Sequence, residues 1–112
     1  MEKLIRACHK TGWNMTIEST NGLTEISLQR YTNSGQDANQ CFTINKASTS
    51  EEIAHDLYTL YESFDVDYET YIWLDNCGHG QNGAPYHIKD ILKDMESVEE
   101  NLHKLWHVYV NM

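Results

Sequence analysis

The chain has 112 residues, 40% of them hydrophobic, and a formal net charge of −9. This length and composition allow one globular domain over 1–112 and exclude a disordered chain. No apolar run approaches the ~18 residues that a membrane span needs. The charge is unevenly placed: residues 1–50 carry four acids and five bases (+1), residues 51–112 thirteen acids and three bases (−10). Direct contact with nucleic acid requires clustered Lys and Arg, so the expected partner is a basic protein rather than DNA or RNA.

The opening "MEKLIRACHKTG" lacks the apolar core and cleavage site of a secretory signal. Cys8, Cys41 and Cys77 are odd in number and form no CxxC, which predicts free thiols in a reduced, cytoplasmic setting. "EKLIRACHK" predicts a short helix with Leu4, Ile5 and Cys8 on one side. In "WNMTIESTNGLTEISLQRY" the Asn21-Gly22 pair predicts a two-residue hairpin turn, because both residues tolerate positive φ. That turn sets Ile17 against Ile26 and Met15 against Leu28 on one face, and leaves Glu18 opposite Glu25, a like-charge pair. "TNSGQDAN" reads as a loop and "QCFTINK" as a third strand with Phe42 and Ile44 inward.

A capping box of Ser48 with Glu51, or of Thr49 with Glu52, opens a helix from about 50 to 64, with Ile53, Leu57, Leu60 and Phe64 inward. "DVDYETYIWLD" predicts another helix, capped by Asp65 or Asp67. After the Gly-rich "NCGHGQNGAP", a last helix over about 87–110 carries Ile88, Ile91, Leu92, Met95, Val98, Leu102, Leu105, Trp106 and Tyr109 on its stripe. The order α-β-β-β-α-α-α predicts an α+β fold, a three-stranded antiparallel sheet packed on one face by three to four helices.

Residues 51–75 hold eight acids (Glu51, Glu52, Asp56, Glu62, Asp65, Asp67, Glu69, Asp75) and no Lys or Arg. An ordinary solvated helix face mixes signs, because i,i+4 pairs of opposite charge help and like charges repel. The segment also carries Tyr58, Tyr61, Tyr68, Tyr71 and Trp73, more aromatics than an inward stripe can use, and surface aromatics are typical of binding hot spots. Other patterns point to less. Asp65, Asp67 and Glu69 resemble the opening of a calcium loop, but Thr70 and Asn76 stand where Gly and Glu are required. His103 and His107, with Glu99, read as the solvated edge of a helix rather than a metal site. Asp75, Cys77 and His79 would make a zinc half-site or a thiolate centre only with further groups, so a glycine turn is the better reading.

Residues 64–106, with their FDxDxE and GxPxxIxDxLxDxE elements (Phe64, Asp65, Asp67 and Glu69; Gly83, Pro85, Ile88, Asp90, Leu92, Asp94 and Glu96), resemble small proteins of phages, plasmids and other bacterial mobile elements. That family implies no activity. In size, element order and charge the whole chain resembles small anti-CRISPR inhibitors of Cas9, which act as acidic mimics occupying a basic nucleic-acid groove. The resemblance implies a non-enzymatic inhibitor, without metal or cofactor, of a Cas effector nuclease with its guide RNA in the bacterial cytoplasm. Carboxylates on successive helical turns lie ~5.4 Å apart and can engage donors that otherwise hold phosphates. The expected partner-binding residues are Glu51, Glu52, Asp56, Glu62, Asp65, Asp67, Tyr68, Glu69, Tyr71, Trp73 and Asp75. The alternative is a binding module without mimicry, an antitoxin-like or regulatory partner of a basic protein; a small enzyme or metal protein built on Asp75, Cys77 and His79 ranks last.

Overall fold

The computed structural model describes residues 1–45, 48–77 and 88–112, with the side chains of 74–77 left aside. Its elements are α1 (Glu2–Thr11), β1 (Asn14–Thr20), β2 (Leu23–Tyr31), β3 (Asp37–Asn45), α2 (Ser50–Ser63), α3 (Val66–Cys77) and α4 (Ile88–Val110). The strands form an antiparallel sheet in the order β1-β2-β3, so the fold is α+β with the expected element order.

The hairpin has the expected register: Ile17 pairs with Ile26, Met15 with Leu28, and Glu18 with Glu25. Asn21 (φ 53°) and Gly22 (φ 81°) both take the left-handed backbone that closes a two-residue turn without splaying the strands. Ile26, Leu28 and Ile44 point into the core, whereas Thr16, Glu18, Glu25, Cys41 and Thr43 stay exposed on the other face. Ile17 shares the inward parity yet is 43% exposed. It lies on an edge strand beyond Met15, where Cys8 Sγ of α1 makes contact at 3.7 Å.

The third strand begins earlier than expected. Asp37–Asn39 pair with Gln29–Tyr31 rather than belonging to the loop; Ala38 is buried, and Gln29 Nε2 donates to Asp37 Oδ1 at 2.7 Å. The turn before them is held by Thr32, whose N–H donates to Gln36 O at 2.8 Å and whose Oγ1 accepts from Gln36 N at 3.0 Å.

α4 is the central helix and packs against α1, α2 and α3. Ile91, Met95, Val98, Leu102, Leu105 and Tyr109 are buried at the spacing of one face. They meet Leu4, Ala7 and Cys8 of α1, Ile53 and Leu57 of α2, and the inner sheet face in one contiguous core. Each buried aliphatic side chain contributes about 1.5–3 kcal/mol by leaving water. Besides Ile17, three expected core residues, Ile5, Ile88 and the half-buried Leu92, are outside it. Ile5 is 46% exposed because the buried stripe of α1 runs through Leu4, Ala7, Cys8 and Thr11, and Ile88 is 57% exposed at the first position of α4.

The C-terminus of α1 is fastened from the sheet. Gly12 takes φ +81°, and Trp13 N–H reaches back to Cys8 O at 3.0 Å. Arg30 lies over the Trp13 ring, 5.4 Å from its centroid, and donates to Thr11 O at 2.8 Å; Trp13 Nε1 in turn donates to Asn101 O of α4 at 3.2 Å. The helices thereby cover one face of the sheet, with α2 against β3 as well as against α4.

Candidate functional site

Two of the acids in residues 51–75 hold helix ends. Thr49 is the cap of α2: its Oγ1 accepts from Glu52 N at 3.1 Å, and Glu52 Oε1 accepts from Thr49 N at 3.2 Å. Ser48 instead receives Asn45 N on its Oγ at 3.1 Å. Asp65 caps α3, its Oδ1 accepting from Asp67 N at 3.1 Å and Tyr68 N at 3.2 Å. Glu51, Asp67 and Glu69 lie in first turns, where the helix dipole favours a negative charge.

Helix physics does not explain the others. Glu62 stands in the last turn of α2, at the negative end of the dipole, and that turn holds no base. Asp56 stands four residues after Glu52, a repulsive spacing for like charges. Among the described residues, no ion pair neutralises Glu51, Asp56, Glu62, Asp67 or Glu69.

The fold distributes this segment over three places instead of one stripe. Glu51, Glu52 and Asp56 line a shallow groove with Thr49 and His55 at the start of α2. Asp67 and Tyr71 lie on the side of α3 that faces Ile88 and Leu92 of α4. Glu69 and Trp73 lie on the opposite side, where α3 meets β3. Asp75 and Cys77 fall in the last turn of α3, but their side chains, together with His79 and the Gly-rich loop, lie outside the described residues.

The rings separate in the same way. Tyr68 and Tyr71 are 60% and 62% exposed, as a hot-spot role requires. Trp73 is instead half-buried and packed against the core. It forms one wall of a cavity of about 220 Å³ between the β3 edge and α3, floored by Phe64, Met95 and Val98 and rimmed by Asp37, Asn39, Gln40 and Glu69.

A second aromatic group runs between α2 and α4. Tyr58 lies 4.8 Å from Trp106, Tyr61 lies 4.9 Å from His103, and His103 stacks on His107 at 6.3 Å. Both histidines are exposed, as expected of a helix edge, but the edge is aromatic rather than merely solvated. Among the described residues no group of three or more His, Cys, Asp or Glu is placed to hold a metal ion.

Sequence reasoning missed that Asp37, Asn39 and Gln40 line one cavity with Glu69 and Trp73, because only the tertiary packing of α3 beside β3 brings them together. Trp106 was placed on the buried stripe of α4, and its pairing with Tyr58 depends on how α2 crosses α4. Cys8 is buried, and burial pushes its thiol up to about 11, so it is neither a nucleophile nor a thiolate ligand near neutral pH. Cys41 is exposed on the open sheet face. No helix among the described residues is long and apolar enough to cross a membrane. Comparison with family models, with curated proteins and with solved structures returns no match.

Proposed function

We propose that the chain is a protein-binding inhibitor of the anti-CRISPR kind. Its acidic α2–α3 surface occupies a basic nucleic-acid groove of a bacterial defence nuclease, a Cas effector carrying its guide RNA. One observation carries this reading. Five acids on these two helices have no ion-pair partner among the described residues, and Glu62 is kept where its own helix disfavours it. Uncompensated charge of this sort lowers self-association and raises the rate of encounter with a basic surface. Tyr68 and Tyr71 supply exposed apolar area beside the carboxylates.

The test replaces Glu51, Glu62 and Asp67 with Lys and leaves both cap carboxylates intact. Inhibition of target cleavage is compared with wild type and with a Glu2→Lys/Glu25→Lys control. Loss of inhibition confined to the first variant supports the mimic, and equal loss from both means bulk charge.

The ring group of Tyr58, Tyr61, His103 and Trp106 favours a second reading, a binding module without mimicry, since a phosphate imitation has no need of those rings. In that case affinity depends weakly on salt, and the partner is a basic toxin or regulator instead of a guided nuclease.

A further inference from the structure

We propose that the cavity between the β3 edge and α3 is a receptor for one arginine side chain of a protein partner. The inference rests on the reading of the chain as an acidic binding protein and names the group it captures. The cavity is about 220 Å³, sized for a single side chain, and lies beside β3, an edge strand that an approaching chain can reach. Its floor is apolar: Phe64, Met95 and Val98 are all buried. Trp73 forms a wall and Glu69 places a carboxylate at the rim, while Asp37 lines the β3 edge with its own carboxylate bonded to Gln29 on the open sheet face.

Those features select the occupant. A phosphate or another anion meets the Glu69 carboxylate and, among the described lining residues, no base. A neutral side chain leaves Glu69 without a counter-charge, for no ion pair within the described residues reaches it. An ammonium satisfies the charge but is a strongly hydrated point that gains little from an apolar floor. A guanidinium is planar and weakly hydrated; it stacks on an indole face and offers forked donors to a carboxylate, while its methylene stem covers apolar surface.

The test uses the full chain and three small probes: N-acetylargininamide, the isosteric neutral N-acetylcitrullinamide, and N-acetyllysinamide. The Trp73 indole N–H is followed by NMR, its signal being the one absent from a Trp73→Phe variant. The arginine probe should move that signal saturably, with the lysine probe about tenfold weaker and the citrulline probe without effect. Glu69→Gln should weaken arginine binding about tenfold, and Glu2→Gln should leave it unchanged. Equal binding of the citrulline probe overturns the proposal, as does a Trp73 signal that no probe moves or arginine affinity unaltered in Glu69→Gln. Arginine capture by a chain that inhibits no nuclease removes the mimic and leaves the receptor standing. Inhibition by a chain whose Trp73 signal ignores arginine does the reverse.

Discussion

Asp94, 2% exposed, sits between Thr32 Oγ1 at 2.8 Å and Ser34, whose N and Oγ approach at 3.3 and 3.1 Å. A buried carboxylate is tolerable only if its oxygens are bonded, and here three neutral donors from the β2–β3 turn do this without a cation. The contact ties that turn to α4, so Asp94→Ala should lower unfolding stability by about 3 kcal/mol, because Thr32 and Ser34 then lose a charged acceptor inside the protein. Chemical denaturation measures it; a loss under about 0.5 kcal/mol would show the turn to be independent of α4. Asp65 is the opposite case, exposed but structural. As the cap of α3 its replacement by Ala should cost about 1 kcal/mol, against the near-zero effect that exposure alone implies. At Cys8 the folded pKa stands above the unfolded one, so its contribution is complete below pH ~9 and is lost as pH rises toward about 11. Wild-type stability should therefore fall more steeply between pH 8 and 10.5 than that of Cys8→Ala, and parallel slopes would argue against a buried thiol.

The elements differ in how far the sequence specified them. The hairpin register followed from Asn21-Gly22 and strand alternation, and the helix starts were legible to within two candidates each, Ser48–Glu51 or Thr49–Glu52 and Asp65 or Asp67, because turns and caps are local chemistry; the structure selects Thr49–Glu52 and Asp65. Substituting Gly22 with Val, at φ 81°, should cost on the order of 1 kcal/mol or more, read as a lower unfolding midpoint. The start of β3 was not legible, since Asp37–Asn39 are polar and take strand form only through pairing with β2. Nor was the division of the acids, which depends on which side of α3 meets β3 and which meets α4. The role of Asp94 was not legible either, because its donors on Thr32 and Ser34 are distant in sequence. For α2, Glu62 offers a separation of stability from function. Glu62→Lys should raise stability by about 0.3–1 kcal/mol, as a cation at the helix C-terminus, while weakening partner binding. A variant both less stable and weaker in binding would mean that Glu62 serves the fold.

On the scale of the whole molecule, charge and shape divide the labour. α1, α4, the inner sheet face and the buried sides of α2 and α3 make the core, while α2 and α3 also carry acids that no ion pair among the described residues neutralises. Their binding should weaken as salt rises, since exposed charges are screened over about 8 Å at physiological ionic strength. The most direct measurement is displacement of labelled target DNA from guide-loaded Cas effectors, over a panel of effector types and at two salt concentrations. Wild type should displace DNA competitively from at least one effector, more weakly at high salt, and the Glu51→Lys/Glu62→Lys/Asp67→Lys variant should not. Displacement from none, or equal displacement by that variant, would contradict an acidic surface that stands in for nucleic acid.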